Sequence, residues 1–417
     1  MHITIIALGT RGDVQPMLAL GSGLQSAGHE VRIIAGNNFG TWVRAHGFDF
    51  VGCGDMAELM STPTGIRWAE SSDNPFRQLG LMRDILNAHL DELVDPIIEY
   101  GSQTDLLLPG FISEPFVRSV SQRFGIPMIQ LLLQPFFSTR SYAATLTALT
   151  RFDSPLNRFS GATTQRLMFN VGREALNKTR AKLGLPPDTF RTTVKANKCF
   201  PTIYGFSRYV VPMPDELPPI KRNVAGYWFF DEPEWEPPAA LVDFLSAGDP
   251  PVYVGFGSMI ASDPKTTFDL ISDALEKAGR RGVVATGWSG AEFEETPNHV
   301  YALDKAPHGW LFPRMAAVIH HGGAGTTGAA LRAGVPSLVI PHMTDQPYWA
   351  RRTYDLGVGV RPIPRHRITL DRLAARIRKA TSDPAIHDRA AHLGELIRAE
   401  DGIGNAVQWI EQYAKLN

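Results

Sequence analysis

The chain has 417 residues, 44% of them hydrophobic and 20% charged, with 41 Lys and Arg against 42 Asp and Glu. That length exceeds one ordinary α/β domain and suits two, each with its own core, and a net charge of −1 excludes the basic excess of a nucleic-acid-binding domain. Two cysteines, Cys53 and Cys199, are too few for a disulfide scaffold and lack metal-ligand spacing, which fits a reducing, cytoplasmic compartment.

The opening residues Met1 to Gly9 lack a basic leader and run into a glycine turn, so 3–8 reads as a first strand and not as a signal peptide. No apolar run approaches the roughly eighteen residues of a membrane span, and the chain reads as soluble or at most peripheral. A tight turn over 9–12 leads to a helix expected over 14–27, with Leu18, Leu20 and Leu24 on its buried side and Gly28 as its stop. Further strands are expected over 31–34, 105–108 and 127–133, and this alternation argues for a parallel sheet with helices on both faces.

Between Gln134 and about Lys182 the alternation pauses, and the segment carries Phe136, Phe137, Tyr142, Leu146, Leu149, Phe152 and Phe159. Two readings are open for it: a roof over a lipophilic pocket, or helices packed on the domain. The same stretch holds eight basic residues (Arg140, Arg151, Arg158, Arg166, Arg173, Lys178, Arg180, Lys182) against two acids, Asp153 and Glu174. That strip reads either as a solvated helix face or as a face that docks on anionic membranes. Proline-rich acidic stretches over 212–219 and 231–238 read as a linker.

Alternation restarts at Val252 and continues through 282–285, 318–320 and 337–340, which makes a second doubly wound domain. The apolar run 316–319 reads as a buried strand, after which His321-Gly322-Gly323-Ala324-Gly325 opens a helix whose first residues are expected at Thr326 and Thr327. Unpaired amides at such a helix start point at an anion. Gly323 and Gly325 let the backbone come close to it, Thr326 can donate its hydroxyl and His321 its ring N–H. After the next strand, over 335–340, Asp345 and Gln346 open the following helix on the same strand-end side, where a carboxylate and an amide suit sugar hydroxyls.

The segments PHGWLF (307–312), HHGGAGTT (320–327) and DQPYW (345–349) resemble the donor-binding signature of family 1 glycosyltransferases, and most of all the sterol glucosyltransferase branch and its bacterial relatives. GTRGDVQP (9–16) resembles the same branch, so the likeness covers essentially the whole chain. It implies an α/β, GT-B fold: two doubly wound parallel-sheet, Rossmann-like domains facing across a cleft. The expected division is 1–215 for acceptor binding, 216–240 as interdomain linker, 241–400 for the nucleotide sugar, and 401–417 as a helix returning to the first domain.

The resemblance also implies the reaction, in which an acceptor hydroxyl attacks the anomeric carbon of a nucleoside diphosphate sugar. Asp13 is the expected base, at the position where many plant relatives carry a catalytic histidine; helix capping is its competing reading. Thr10, Arg11, Gly12, Ser258, His321, Gly323, Ala324, Gly325, Thr326, Asp345 and Gln346 are expected at the donor. Arg11 either approaches the diphosphate or pins its own turn. Ala306, Pro307 and His308 are expected against the nucleobase, although plant enzymes place a stacking tryptophan where Lys305 stands, which leaves uridine and thymidine both open. Trp310 reads equally as core.

Met56, Phe76, Met82, Phe136, Phe137 and Tyr142 are expected to line the acceptor pocket. The chain has no Asp-x-Asp pair, so amides and side-chain donors are expected to meet the diphosphate charge without a metal, and no cofactor is expected beyond the co-substrate, UDP-glucose by this reading. Consecutive strand residues face opposite ways, so His320 and His321 are not expected to share an ion, and His320 reads as core. Gly9-x-x-Gly12 lacks the dinucleotide fingerprint, which argues against an oxidoreductase. The expected activity is inverting hexosyl transfer to a lipophilic acceptor such as a sterol, triterpenoid or polyketide. A nucleotide-sugar epimerase of the same fold and a non-catalytic donor-binding homologue stay open beside it.

Overall fold

Runs of β-branched and leucine residues, buried on both faces, make the strands in the computed structural model of this chain. The structure describes residues 1–416 apart from 55–58, 60–61, 71–74, 146–152, 214–220, 233–234, 257–263, 287–295 and 343. Two compact units result, one built on Met1–Ala144, Arg151–Phe230 and Asp401–Asn417 and the other on Asp231–Glu400.

In the first unit the strands β1 (His2–Ala7), β2 (Glu30–Ala35), β3 (Asp49–Gly52) and β4 (Leu106–Pro109) pair in parallel in the order β3-β2-β1-β4. Strands β5 (Gln130–Leu132), β6 (Thr202–Tyr204) and β7 (Arg222–Val224) continue them, because Leu107 N donates to Pro127 O (3.0 Å) and Ile129 N to Leu107 O (3.0 Å). Alternation along β1 sends Ile3, Ile5 and Ala7 into one core and Ile6 into the other. The last helix, Gly402–Leu416, fills the first of these cores with Ala406 and Ile410. Trp228 Nε1 donates to Gly402 O (3.2 Å) and Asn405 Nδ2 to Ala225 O (3.1 Å), which fixes its start.

Several boundaries differ from expectation. The first helix spans Arg11–Ser26 and starts three residues before Val14, because Thr10 and not Asp13 is its N-cap. The last helix, Gly402–Leu416, falls within the 401–417 expected for it. Strand β7 lies inside the stretch read as linker; its buried Arg222 gives no apolar signal and donates to Phe200 O (3.0 Å) and Asn197 O (2.6 Å) at a helix end. In the pause, residues 135–145 are irregular and mostly buried and are covered by the helix Pro155–Lys182, where Ser138 Oγ donates to Arg158 O (2.8 Å) and Asn157 Nδ2 to Arg140 O (2.8 Å). Of the basic strip, Lys178 pairs with Glu174 (2.9 Å), Lys182 with Asp91 (2.7 Å), and Arg180 is buried against Pro186 O (2.6 Å) and Gln122 (2.7 Å). Leu146, Leu149, Arg151 and Phe152 lie outside the described residues.

The second unit repeats the pattern. Strands β8 (Val252–Gly255), β9 (Gly282–Ala285), β10 (Val300–Leu303), β11 (Ala317–His320) and β12 (Ser337–Val339) form a parallel sheet ordered β10-β9-β8-β11-β12. Sequence neighbours β11 and β12 are also sheet neighbours, so the loops that follow them emerge side by side at the carboxyl edge.

Candidate functional site

The turn after β11 is built by two histidines with opposite duties. His320, the last strand residue, is fully buried, and its Nδ1 accepts the Gly322 amide at 3.1 Å. That bond holds Gly322 at φ +94°, a conformation glycine adopts without strain. Alternation then turns His321 the other way, and its ring folds back over Gly323, where an added Cβ would stand 2.5 Å from His321 Nε2. Burial pushes His320 well below its ordinary value and His321 down to about 4, so both rings are neutral near pH 7, one N–H donor and one acceptor each.

The helix that follows spans Ala324–Ala333 with Gly323 as N-cap, two residues earlier than the expected start at Thr326. Thr327 N is the first amide to bond within it, to Gly323 O at 2.9 Å, so the amides of residues 324–326 lead out of the helix N-terminus. An added Cβ at Gly325 would meet no atom within 4 Å, so that face of the turn is sterically open. The result is a short array of donors at the positive end of a helix dipole, the arrangement that holds a phosphate.

Beside it, Asp345 closes the N-terminus of the helix Gln346–Asp355. Its Oδ2 accepts from Trp349 Nε1 (2.8 Å) and its Oδ1 from Thr344 Oγ1 (3.0 Å), while burial pushes its pKa up. Gln346 Oε1 accepts from His342 N at 2.8 Å. A Cβ on Gly322 would stand 3.2 Å from Gln346 O, so the turn after β11 and the tip after β12 touch. The structure thus brings His321, Gly323, Ala324, Gly325, Thr326, Asp345 and Gln346 together. It adds His342, missed in the sequence as a lone histidine between strand and DQ tip; its place just beyond β12 was the signal.

Ala306, Pro307 and His308 follow β10 at the same carboxyl edge, where Pro307 N-caps the short helix His308–Leu311 and His308 stacks on Phe312 at 4.3 Å. Trp310 is taken up by Trp235 (5.2 Å) and by the Arg314 guanidinium (4.1 Å). Ser258 lies outside the described residues.

In the first unit, Asp13 is the third residue of its helix, and its Oδ2 accepts from Thr10 N (2.8 Å) and Thr10 Oγ1 (3.2 Å). It is therefore half of a capping box, not an N-cap. Arg11 donates to Gln15 Oε1 (3.1 Å) and lies 4.8 Å over Trp42, next to Gly12 on the exposed first turn. Phe136, Phe137 and Tyr142 are buried, against Phe111 (4.7 Å), Arg222 (4.0 Å) and the Tyr204 hydroxyl (2.8 Å) in turn, which is how core aromatics sit. Met82 is half-buried on the helix Pro75–Ala88 with Phe76, of whose side chain nothing is described; Met56 lies outside the described residues.

Residues 3–106 match the glycosyltransferase family 28 N-terminal domain and residues 281–407 the C-terminal domain of erythromycin biosynthesis protein CIII-like proteins. The O-mycaminosyltylonolide 6-deoxyallosyltransferase of Streptomyces fradiae is 33% identical over 427 residues, covering 100% of this chain and 98% of that protein. The chain belongs to the family 1 glycosyltransferases of GT-B fold. Another family member, a sterol 3-beta-glucosyltransferase of Cryptococcus neoformans, is 34% identical over 457 residues; this chain is matched over 100% of its length but spans only 27% of that relative. Among solved GT-B structures, the glycosyltransferase of kitacinnamycin superposes with a TM-score of 0.72 at 21% identity, covering 99% of each chain. A glycosyltransferase of Streptomyces sp. SF2575 complexed with thymidine diphosphate gives 0.64 at 21% identity, also covering 99% of each.

Proposed function

We propose that this chain transfers a hexose, glucose from UDP-glucose, to a hydroxyl of a lipophilic acceptor such as a sterol, triterpenoid or polyketide, with inversion and without a metal ion. The observation that carries the reading is the contact between Gly322, in the turn after β11, and Gln346, at the tip after β12. A donor array for a diphosphate lies against a carboxylate and an amide suited to a hexose, which is the layout of a nucleotide sugar.

In this reading the Asp13 carboxylate takes the acceptor's proton as its oxygen forms a bond to the anomeric carbon. The bond from that carbon to the diphosphate oxygen breaks, and its electron pair leaves on the phosphate. Negative charge developing there is met by the amides of 324–326 and by His321, donors held in place before the reaction. Attack opposite the leaving group on an α-linked donor yields a β-glycoside. The names of the relatives support a lipophilic acceptor, since one is a sterol glucosyltransferase and another a deoxyallosyltransferase of O-mycaminosyltylonolide.

A second donor reading is favoured by the full-length match to that deoxyallosyltransferase, by the neighbour complexed with thymidine diphosphate, and by Lys305 at the place of the plant tryptophan. In it the base is thymidine. Both are tested by offering UDP- and dTDP-linked hexoses separately with a mixed library of sterols and polyketides, and reading products by mass, with and without chelator. Glycosides formed at the same rate with chelator are expected. Donor epimerised or hydrolysed with no acceptor product would overturn the transferase reading, and a strict magnesium requirement the metal-free one.

A further inference from the structure

We infer that His342 reads a hydroxyl of the donor hexose and so makes this chain select a sugar hydroxylated at that position over its deoxy analogue. The inference rests on the donor reading above and adds to it a residue that neither strand pattern nor motif supplied. His342 stands just past β12, and its backbone amide is held by Gln346 Oε1 at 2.8 Å. Its ring lies against Phe256, just past the end of β8, with centroids 5.6 Å apart. β11, whose end leads into the His321 turn, lies between β8 and β12 in the sheet.

What the ring nitrogens lack, among the described residues, is a hydrogen-bond partner; both Nδ1 and Nε2 are buried. Burial, with Arg365 and His321 nearby, pushes the group down to about 3, so it is a neutral imidazole at working pH, with one N–H to give and one lone pair to receive. A phosphate oxygen offers only acceptors and would leave the lone pair unused. A hydroxyl can accept from the N–H or donate to the lone pair, so it can serve either nitrogen, one hydroxyl to each.

The neighbouring tip residues sharpen the assignment. Asp345 has one oxygen engaged by Trp349 and the other by Thr344, and Gln346 gives its carbonyl to the His342 amide. Part of the polar capacity that sequence reading assigned to the sugar is therefore spent on holding the tip together, and the His342 ring is the tip group with both polar atoms uncommitted. A site that leaves a buried polar group unpaired when a hydroxyl is missing rejects the deoxy analogue strongly. For one such contact, about ten- to a hundredfold in kcat/KM is expected.

The test compares wild type with His342→Phe on glucose and its 2-, 3-, 4- and 6-deoxy analogues, linked to whichever base the wild type accepts. Nucleoside diphosphate affinity is measured beside it. Wild type is expected to discriminate against one deoxy position by at least about tenfold, and H342F to lose that discrimination while its nucleoside diphosphate affinity stays within about twofold. Unchanged ratios at all four positions in H342F would overturn the inference, as would a parallel loss of nucleoside diphosphate affinity, which would assign His342 to the phosphates. If H342F does not fold, His342→Leu carries the same comparison, and His342→Gln, which keeps a donor and an acceptor, should retain part of the discrimination. Failure of the donor reading itself looks different: wild type then turns over none of the sugars.

Discussion

Gly323→Ala separates two roles that one glycine plays at the turn after β11. Alanine is at ease at φ −59°, ψ +146°, so the backbone need not move. Its methyl, however, would stand 2.5 Å from His321 Nε2, and the ring must swing away. If that ring donates to the diphosphate, the loss is one hydrogen bond to a charged group, about 1.5–3 kcal/mol, or roughly ten- to a hundredfold in Kd. The cost to the fold is smaller, about 1 kcal/mol, since alanine caps a helix less well than glycine. Calorimetric titration of UDP and dTDP into wild type, G323A, H321A and the double mutant forms a cycle. If ring displacement is the mechanism, G323A weakens binding in wild type and does nothing further once His321 is alanine. Equal losses in both backgrounds would refute it and mean that the methyl blocks the diphosphate itself; undiminished affinity in G323A would remove His321 from the phosphate site.

Other outcomes follow from the same geometry. Asp13→Asn keeps an acceptor for the Thr10 amide, so melting should shift little while turnover falls at least about a hundredfold at unchanged nucleotide affinity; near-full activity would leave Asp13 as a capping residue only. Gln346→Ala should impair binding of the intact sugar donor and spare the nucleoside diphosphate, with His321→Ala weakening both, a contrast read by titration. His321 and His342 are held neutral, at about 4 and about 3, and take up protons on unfolding below their ordinary value near 6.5. The stability that goes with keeping them neutral is whole above pH 6.5 and is lost as pH falls through 4, so Tm should drop over that window and drop less in H342F. Arg158, Arg166 and Arg173 stay exposed on the long helix beside Leu156 and Phe159, 62% and 72% exposed. At up to about 1 kcal/mol per arginine, co-sedimentation with anionic vesicles should be partial at low salt and absent at physiological salt; full attachment at high salt would contradict this count.

Much of the sheet was legible because parallel strands are written as apolar runs, as in 252–255 (VYVG), 282–285 (GVVA) and 317–320 (AVIH). Strand β7 was not legible, for its middle residue is Asn223 and its first is a buried arginine whose partners are carbonyls at the end of a distant helix. The aromatic stretch after Gln134 was ambiguous for a related reason. Phe136, Phe137 and Tyr142 are the residue types of a lipophilic pocket, but Arg222 and Tyr204, which occupy two of them, lie sixty or more residues away, and no local period reports such neighbours. The basic strip stayed ambiguous for the same reason, because Asp91 and Asp95, which answer Lys182, stand far from it in sequence.

The candidate donor site was readable because its parts are local. Amides presented by three successive residues need only a glycine turn and a helix start, and both are short-range signals. What the motif could not give is why the two halves of the site stay in register. Gly322 does this: its positive φ is held by a bond to His320 inside the strand, and its missing Cβ is what allows Val339 and Gln346 to approach. A side chain at 322 would press on Val339 at the end of β12 and on Gln346 together, while straining the turn that leads into the helix Ala324–Ala333. On the proposed reading, phosphate and hexose recognition are therefore not independent. Any substitution that shifts Gly322 should weaken nucleoside diphosphate and sugar together, in contrast to Gln346→Ala, which should separate them.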